Sequence, residues 1–425
     1  MPPQFDGHPH QWFTPSGQTG SHYVSDTYLY PNAQSAAPLW YHDHAFGITR
    51  LNVYAGLAAL YLIRDTVDTG VVGLGLNIPK GVYEIPLVIQ DRMFNPDGTL
   101  FYPTVGVTAV HPIWVPEFFG DTPVVNAKAY PYLNVARRRY RFRVYNGSQA
   151  RFYNLWFDNG TAPVPFYVIG MEGGFLPAPV LRNKLLLAPG ERADIIFDFG
   201  GMPVGTVLTL KNNAKAPYPG GKAGGVPQIM QFRVTMGPPA GGDPTTPPAQ
   251  LVLPPITPLN PGGAPMREVV LQENVDPITG NPIEALLNGK YFNAPVEETP
   301  KVGDTEVWQF INITGDAHPM HTHLVMFQVL NRQPLNAKAY DAAWRAYLAG
   351  GSKPILANYL VGPPVPPPPE ESGWKDTAKA YPGEVLQVVA KFDLPPGVTA
   401  PADYVYHCHI LEHEENEMMR PYQVI

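Results

Sequence analysis

The chain has 425 residues, 51 of them Pro and 40 Gly, with 44% hydrophobic and 15% charged residues and a formal net charge of -7. So much backbone punctuation excludes long helices, coiled coils and helical solenoids, and the hydrophobic content excludes disorder. The 29 Lys plus Arg against 36 Asp plus Glu leave no cationic surplus for a phosphate backbone, which argues against a nucleic-acid partner.

At ~150 residues per domain the length suggests roughly three units. Taken in chain order, Met1-Pro2-Pro3-Gln4-Phe5-Asp6 carries neither the basic nor the apolar region of a signal peptide. No later run reaches the ~18 uncharged apolar residues of a membrane span. The sequence therefore implies a soluble chain with no membrane partner and no readable address. Strand-like runs then recur between Gly, Pro and Asn clusters at residues 56–63, 85–90, 140–145, 195–199, 207–210 and 229–234. Short strands so spaced imply an all-β fold of sandwiches or barrels. Residues 237–265, rich in Pro and Gly, separate two strand-rich blocks and read as a linker; 362–371 interrupts one block and reads as a surface loop. With a weaker boundary at 65–80, the blocks are 1–66, 67–245 and 255–425. The best helical stretch is 336–349, rich in helix formers and followed by Gly350-Gly351. Gly73-Leu74-Gly75-Leu76 and Pro219-Gly220-Gly221-Lys222 lack the strand-to-helix context of a phosphate loop and read as turns.

Eight of the 12 histidines bunch in three clusters: His42 and His44; His318, His321 and His323; His407, His409 and His413. Each cluster contains an H-x-H pair, and the last surrounds the single cysteine, Cys408. Single histidines are usually hydrogen-bonded structural residues, but three such clusters point to metal. If the run through Tyr406 is extended, Cys408 faces one side while His407 and His409 face the other, so one strand serves two sites. Cys408, His413 five residues on and Met418 five further supply thiolate, imidazole and a weak thioether; His318 completes a blue copper set. Met419 is an alternative axial ligand. The remaining six imidazoles suit a copper pair or most of a three-copper cluster, and the short covalent path from the Cys408 sulfur to both flanking histidines links the sites. His22 and His111 read as surface loop residues. Met320 and Met326 could line a substrate pocket, although packing is the commoner role of Met.

Leu39-Trp40-Tyr41-His42-Asp43-His44-Ala45, residues 49–57, His318-Pro319-Met320-His321-Thr322-His323, Gly373-Trp374-Lys375-Asp376-Thr377 and residues 407–421 resemble the multicopper oxidases, in their bacterial spore-coat laccase branch. The likeness covers essentially the whole chain. It implies tandem cupredoxin-like Greek-key barrels, three domains with the first incomplete. It also implies a type 1 copper on His318, Cys408, His413 and Met418, with His321 a type 2 ligand. The type 3 pair would use His42 with His409 on one copper and His44, His323 and His407 on the other, for up to four coppers per chain. Glu414 matches a family acid implicated in protonating reduced dioxygen. The branch also implies a spore-coat association.

One departure stands out. The family carries an early H-x-H-G motif, whereas the only early pair here is His8-Pro9-His10, with no following Gly. Asp6-Gly7-His8-Pro9 followed by Trp12-Phe13 resembles a segment that in this branch comes just after that motif, and Pro9 disfavours a central strand. Two readings stay open, His8 and His10 as the first copper-ligand pair or as a loop near the site; we favour the loop, with Asp6 an acid that orients ligands or water and the segment bearing the first ligand pair absent. A first block of about 66 residues, shorter than the ~80 needed by eight short strands, suggests unpaired edges and a homo-oligomeric partner to cover them.

The leading reading is a laccase-like oxidase: phenols or aromatic amines give single electrons to the type 1 copper, and dioxygen is reduced to water at a trinuclear cluster. The alternatives are a cluster-deficient copper-binding remnant that retains only the type 1 site, and a copper nitrite reductase, which would not explain the pairs flanking Cys408. The composition of the surrounding loops does not separate phenols from pigments or metal ions.

Overall fold

The structure is a computed structural model and describes residues 1–106 and 114–425; His111 lies outside the described residues. Strands dominate. Near the N-terminus, Pro38–His42 pairs antiparallel with Ala58–Leu62, and the connection between them contains the helix Thr49–Ala55. The helix stops at Gly56, whose φ of 108° places it in the left-handed region where glycine ends helices at low cost. The expected strand at 56–63 accordingly begins two residues later. Val24, Leu29, Tyr41 and Leu57 of this first segment are exposed.

A seven-stranded and a six-stranded sheet follow. Leu87, Phe142, Phe157, Phe197 and Phe232 are among the buried side chains of the core there. The strand Arg139–Asn146 shows how this block is built: Tyr140, Phe142 and Val144 enter the core, as alternation dictates. The opposite face, Arg139, Arg141 and Arg143, would ordinarily meet water. Here all three are buried. Arg141 donates to Asp68 at 2.7 Å and to Asp194 at 2.5 Å, so charge pairing helps tie down the segment after Ala58–Leu62.

The C-terminal block pairs a five-stranded sheet with a four-stranded one. Trp308, Phe310, Leu386, Tyr404, Tyr406 and Tyr422 belong to their common core, and the Trp308 and Tyr406 rings meet edge to face at 5.0 Å. The four-stranded sheet runs Thr377–Ala380, His318–Thr322, Ala402–Cys408, Met419–Val424, which brings two histidine clusters side by side. The expected helix appears as Ala337–Leu348, with the Asn336 side chain accepting from the Ala339 amide at 3.3 Å. The Pro/Gly-rich 237–265 passage is not free of the fold: Leu251 and Leu253 pack with Ile78, Ile169 and Ile196. The 362–371 loop ends in the buried Glu371, paired with Arg332 at 2.7 Å and Lys379 at 2.6 Å.

Candidate metal centre

The register of the four-stranded sheet creates the centre. His318–Thr322 and Ala402–Cys408 run antiparallel with Met320 opposite Cys408 and His321 opposite His407. Alternation sends Met320 and Cys408 to one face and His321 and His407 to the other. Pro319 O accepts from the His409 amide at 2.7 Å, holding the chain extended one residue past the strand. The short helix Leu411–Glu414 then turns the chain back: the Met418 amide donates to His413 O at 2.9 Å and Met418 O accepts from the Cys408 amide at 3.0 Å.

On the Cys408 face, Cys408 Sγ lies 3.5 Å from His318 Nδ1 and 3.8 Å from His413 Nδ1, and the two Nδ1 atoms are 3.2 Å apart. All three residues and Met418 are buried. His318 Nε2 is engaged by Thr314 Oγ1 at 2.6 Å, which leaves Nδ1 as the inward atom. Met418 shares the core that contains Cys408, whereas Met419 packs with Phe292 and Val405. Burial drives His413 down to about 3 and His318 well below its ordinary value, and pushes the Cys408 thiol well above its own. The donors are therefore uncharged and stand within 3.2–3.8 Å of one another, close enough for one cation to be shared among them. Two imidazoles, a thiol and a nearby thioether fit copper.

On the other face six imidazoles converge. His44 Nε2 and His323 Nε2 lie 3.3 and 3.2 Å from His407 Nε2. The His42 and His409 rings are 5.2 Å apart, and His321 lies 5.2 Å from His407 and 5.7 Å from His409. Four of the six point their other nitrogen at a backbone carbonyl: His42 Nδ1 to Asp43 O at 2.8 Å, His321 to Asp376 O at 2.8 Å, His323 to Asp6 O at 2.8 Å, His407 to Cys408 O at 3.0 Å. A proton on Nδ1 leaves Nε2 unprotonated and inward, as metal ligation requires. Burial lowers His42 to about 4 and His407 to about 3, so protons do not fill the gap. His323 departs from this: Asp6, against the effect of burial, raises it above its ordinary value. Trp40 stacks on the His409 ring at 5.3 Å, and Gly190, with φ of 80°, lets the chain pass so close that a Cβ there would fall 2.5 Å from His409 Cδ2.

Acids surround this cluster. Asp6 Oδ2 lies 3.3 Å from His323 Nδ1, and Asp376 is paired with Arg192 beside His321. Glu414 sits with one oxygen 3.3 Å from His44 Nε2 and the other 3.1 Å from His407 Nδ1. Burial raises it to about 7, against the pull of His42, His323 and His321.

The structure thus gathers Cys408, His318 and His413 with Met418 in the same core. It gathers His42, His44, His321, His323, His407 and His409 in the second group, with Asp6 and Glu414 at its edge. His8 and His10 are not part of that group; they cluster with His22, which is an exposed loop residue as expected and stacks on His8 at 4.2 Å. Met320 is fully buried in the core. Sequence reading missed a set of carboxyls near His318: Glu273, whose Oε1 is 3.9 Å from His318 Nε2, together with Asp316 and Glu117. Burial, then mutual repulsion with Asp316, raises Glu273 to about 8; burial raises Asp316 to about 6; Glu117 rises well above its ordinary value through burial and then both neighbours. These three come from distant parts of the chain and share no motif; only the Asp316-x-His318 proximity was visible.

The profile of the multicopper oxidase family matches residues 264–425. Among curated relatives, a laccase of Bacillus subtilis (strain 168) is 43% identical over 433 residues, covering 100% of this chain and 77% of that protein. Multicopper oxidase LPR1 homolog 1 of Oryza sativa subsp. japonica is 39% identical, covering 100% and 73%. Among solved structures, the McoA multicopper oxidase of Aquifex aeolicus superposes with a TM-score of 0.75 at 31% identity, covering 100% of this chain and 82% of that one.

Proposed function

The chain belongs to the multicopper oxidases, copper-dependent oxidoreductases with dioxygen as electron acceptor, and from that premise we propose a laccase-type activity in which a small reducing substrate is oxidised one electron at a time. In this reading His318, Cys408, His413 and Met418 hold a type 1 copper. His321 serves a type 2 copper, His42 with His409 one type 3 copper, and His44, His323 and His407 the other. The division 1–66, 67–245 and 255–425 corresponds to a first cupredoxin-like unit and two larger ones. Bound copper supplies one-electron acceptance at Cys408 and four-electron reduction of dioxygen to two waters at the cluster. The observation that carries the reading is that Cys408 stands between His407 and His409 on one strand end, its sulfur among His318 and His413 and its neighbours among the other four imidazoles.

The chain's own residues do the rest. Backbone carbonyls of Asp6, Asp43, Asp376 and Cys408 orient four ligand rings through Nδ1. Burial keeps water from the Cys408 group, so its donors do not reorganise when the charge at that site changes. Glu414, held near neutrality, carries a proton at an oxygen 3.3 Å from His44 Nε2 and can release it into the space between the imidazoles. Asp6 fixes the His323 ring from the far side.

A specific observation favours a second electron donor beside phenols and aromatic amines. Glu117, Glu273 and Asp316, each partly accessible, form an acidic group whose members influence one another electrostatically on the His318 side of the Cys408 group. Acidic side chains with no Lys or Arg among their ion-pair partners at 4.0 Å or less, among the described residues, would, once ionised, draw a reducing first-row cation such as Fe(II) or Mn(II) towards the His318 edge in preference to the softer Cu(I). Each such cation would give one electron across the His318 edge. Copper analysis with dioxygen uptake tests the oxidase: about four coppers per chain with turnover supports it, and one blue copper without uptake would leave the remnant reading in its place.

A further inference from the structure

Three histidines outside the ten proposed ligands stand together. The ligand nitrogens of His8, His10 and His22 all lie within 4.8 Å of one another, with ring centroids 4.2 Å apart for His8 and His22, 5.6 Å for His10 and His22 and 5.7 Å for His8 and His10. We propose that His8, His10 and His22 form a further metal site, separate from the copper cluster, for a borderline divalent cation of the Zn2+ class.

The loop is built to hold these rings in place. The His22 amide donates to His10 O at 3.0 Å, the Gly20 amide to Trp12 O at 2.8 Å and the Gln11 amide to His8 O at 2.8 Å. Gly20 is required for this closure, since a Cβ there would fall 2.1 Å from His10 O. The His10 amide points at His8 Nδ1 at 3.2 Å, and Ser21 Oγ meets His22 Nδ1 at 3.2 Å, which leaves Nε2 of His22 as its open donor. Phe292 walls one side, 5.9 Å from the His8 ring and 5.4 Å from His10, and Phe46 lies 6.3 Å from His10.

Chemistry selects the ligand class. Three imidazoles with no thiolate or carboxylate favour Zn2+, Cu2+ or Ni2+ over Mg2+, Ca2+ or Mn2+, and three protein ligands leave a coordination position for water. Burial, with its histidine neighbours, drives His8 down to about 3, and burial and His22 lower His10, so protons compete little for these nitrogens near neutral pH. A cation there would cross-link residues 8 and 22 and clamp the loop against Phe292. None of this depends on the oxidase assignment.

The test is zinc binding to the full, copper-loaded chain by equilibrium dialysis with elemental analysis, for the parent, H22N and H10N/H22N. The parent should take up one zinc per chain beyond any retained by H10N/H22N, H22N should bind that zinc about tenfold or more weakly, and zinc should slow amide exchange across residues 8–22 in the parent alone. His22 and His10 lie outside the proposed oxidase machinery, so unchanged blue colour and dioxygen uptake certify that both variants are folded. Equal zinc uptake by the parent and H10N/H22N, or zinc protection of the loop in both, would overturn the site.

Discussion

Arg192 and Asp376 meet in a buried two-pronged ion pair, Nη1 to Oδ1 at 2.9 Å and Nη2 to Oδ2 at 2.5 Å. Arg192 comes from the middle block and Asp376 from the C-terminal one, and the Asp376 carbonyl accepts from His321 Nδ1. The pair therefore joins the packing of two blocks to the orientation of one histidine of the cluster.

Replacing Asp376 with Ala strands a buried guanidinium, and a loss of about 3–5 kcal/mol is expected. Although burial acts to raise it, Arg192 and His321 hold the Asp376 carboxyl well below its ordinary range. Its folded-state value is depressed, so its stabilisation is complete above the unfolded carboxyl's ~4 and fades as pH falls towards the folded value. Denaturant unfolding of parent and D376A should differ by a constant amount at neutral pH and converge in acid. A gap that widens in acid would contradict this account.

Gly190→Ala places a methyl into the His409 ring and strains a left-handed φ. The variant should fold with its blue copper intact while losing copper from the six-imidazole group. Elemental analysis beside the visible spectrum reads both at once; full copper content in G190A would show that the ring can yield.

Glu414→Gln removes a group that can release a proton without altering its size. In the parent the carboxyl is protonated below about 7 and ionised above it, so turnover should fall as pH rises through that range. The Gln variant should be slower by about 10²–10⁴ and lack that limb. A steady-state pH profile in E414Q that keeps the parental limb would assign the proton to another group.

The acidic group beside His318 makes a separate prediction about the electron donor. E273Q and D316N should raise KM for Fe(II) or Mn(II) about tenfold or more while leaving a phenol's KM within about twofold. Because cations bind the ionised forms, affinity for metal should strengthen as pH rises through the Asp316 and Glu273 values of about 6 and about 8. Equal losses for both substrate types would mean that the carboxyls support the His318 site structurally and do not receive the donor.

What could be read from the sequence was what is encoded locally. Strand alternation alone separates Cys408 from His407 and His409, and the five-residue steps to His413 and Met418 follow from a short turn, so the grouping of these side chains was legible. The all-β class followed from the Pro and Gly spacing, and the Ala337–Leu348 helix from its composition. What escaped notice depends on distant segments meeting: Glu117, Glu273 and Asp316 become neighbours only in the folded chain. Likewise the burial of Arg141 depends on Asp68 and Asp194, which lie 73 and 53 residues away in the chain. His22 escaped because its partners are 12 and 14 residues away across an irregular loop that no periodicity describes.

The central claim is that Cys408 links a single-electron site to a cluster that reduces dioxygen fully. Dioxygen stoichiometry of the copper-loaded chain with a one-electron donor tests it most directly. Four donor molecules should be oxidised per dioxygen consumed, with no oxygen returned on adding catalase; two donors per dioxygen with peroxide released, or no uptake by a chain holding a single blue copper, would refute the link.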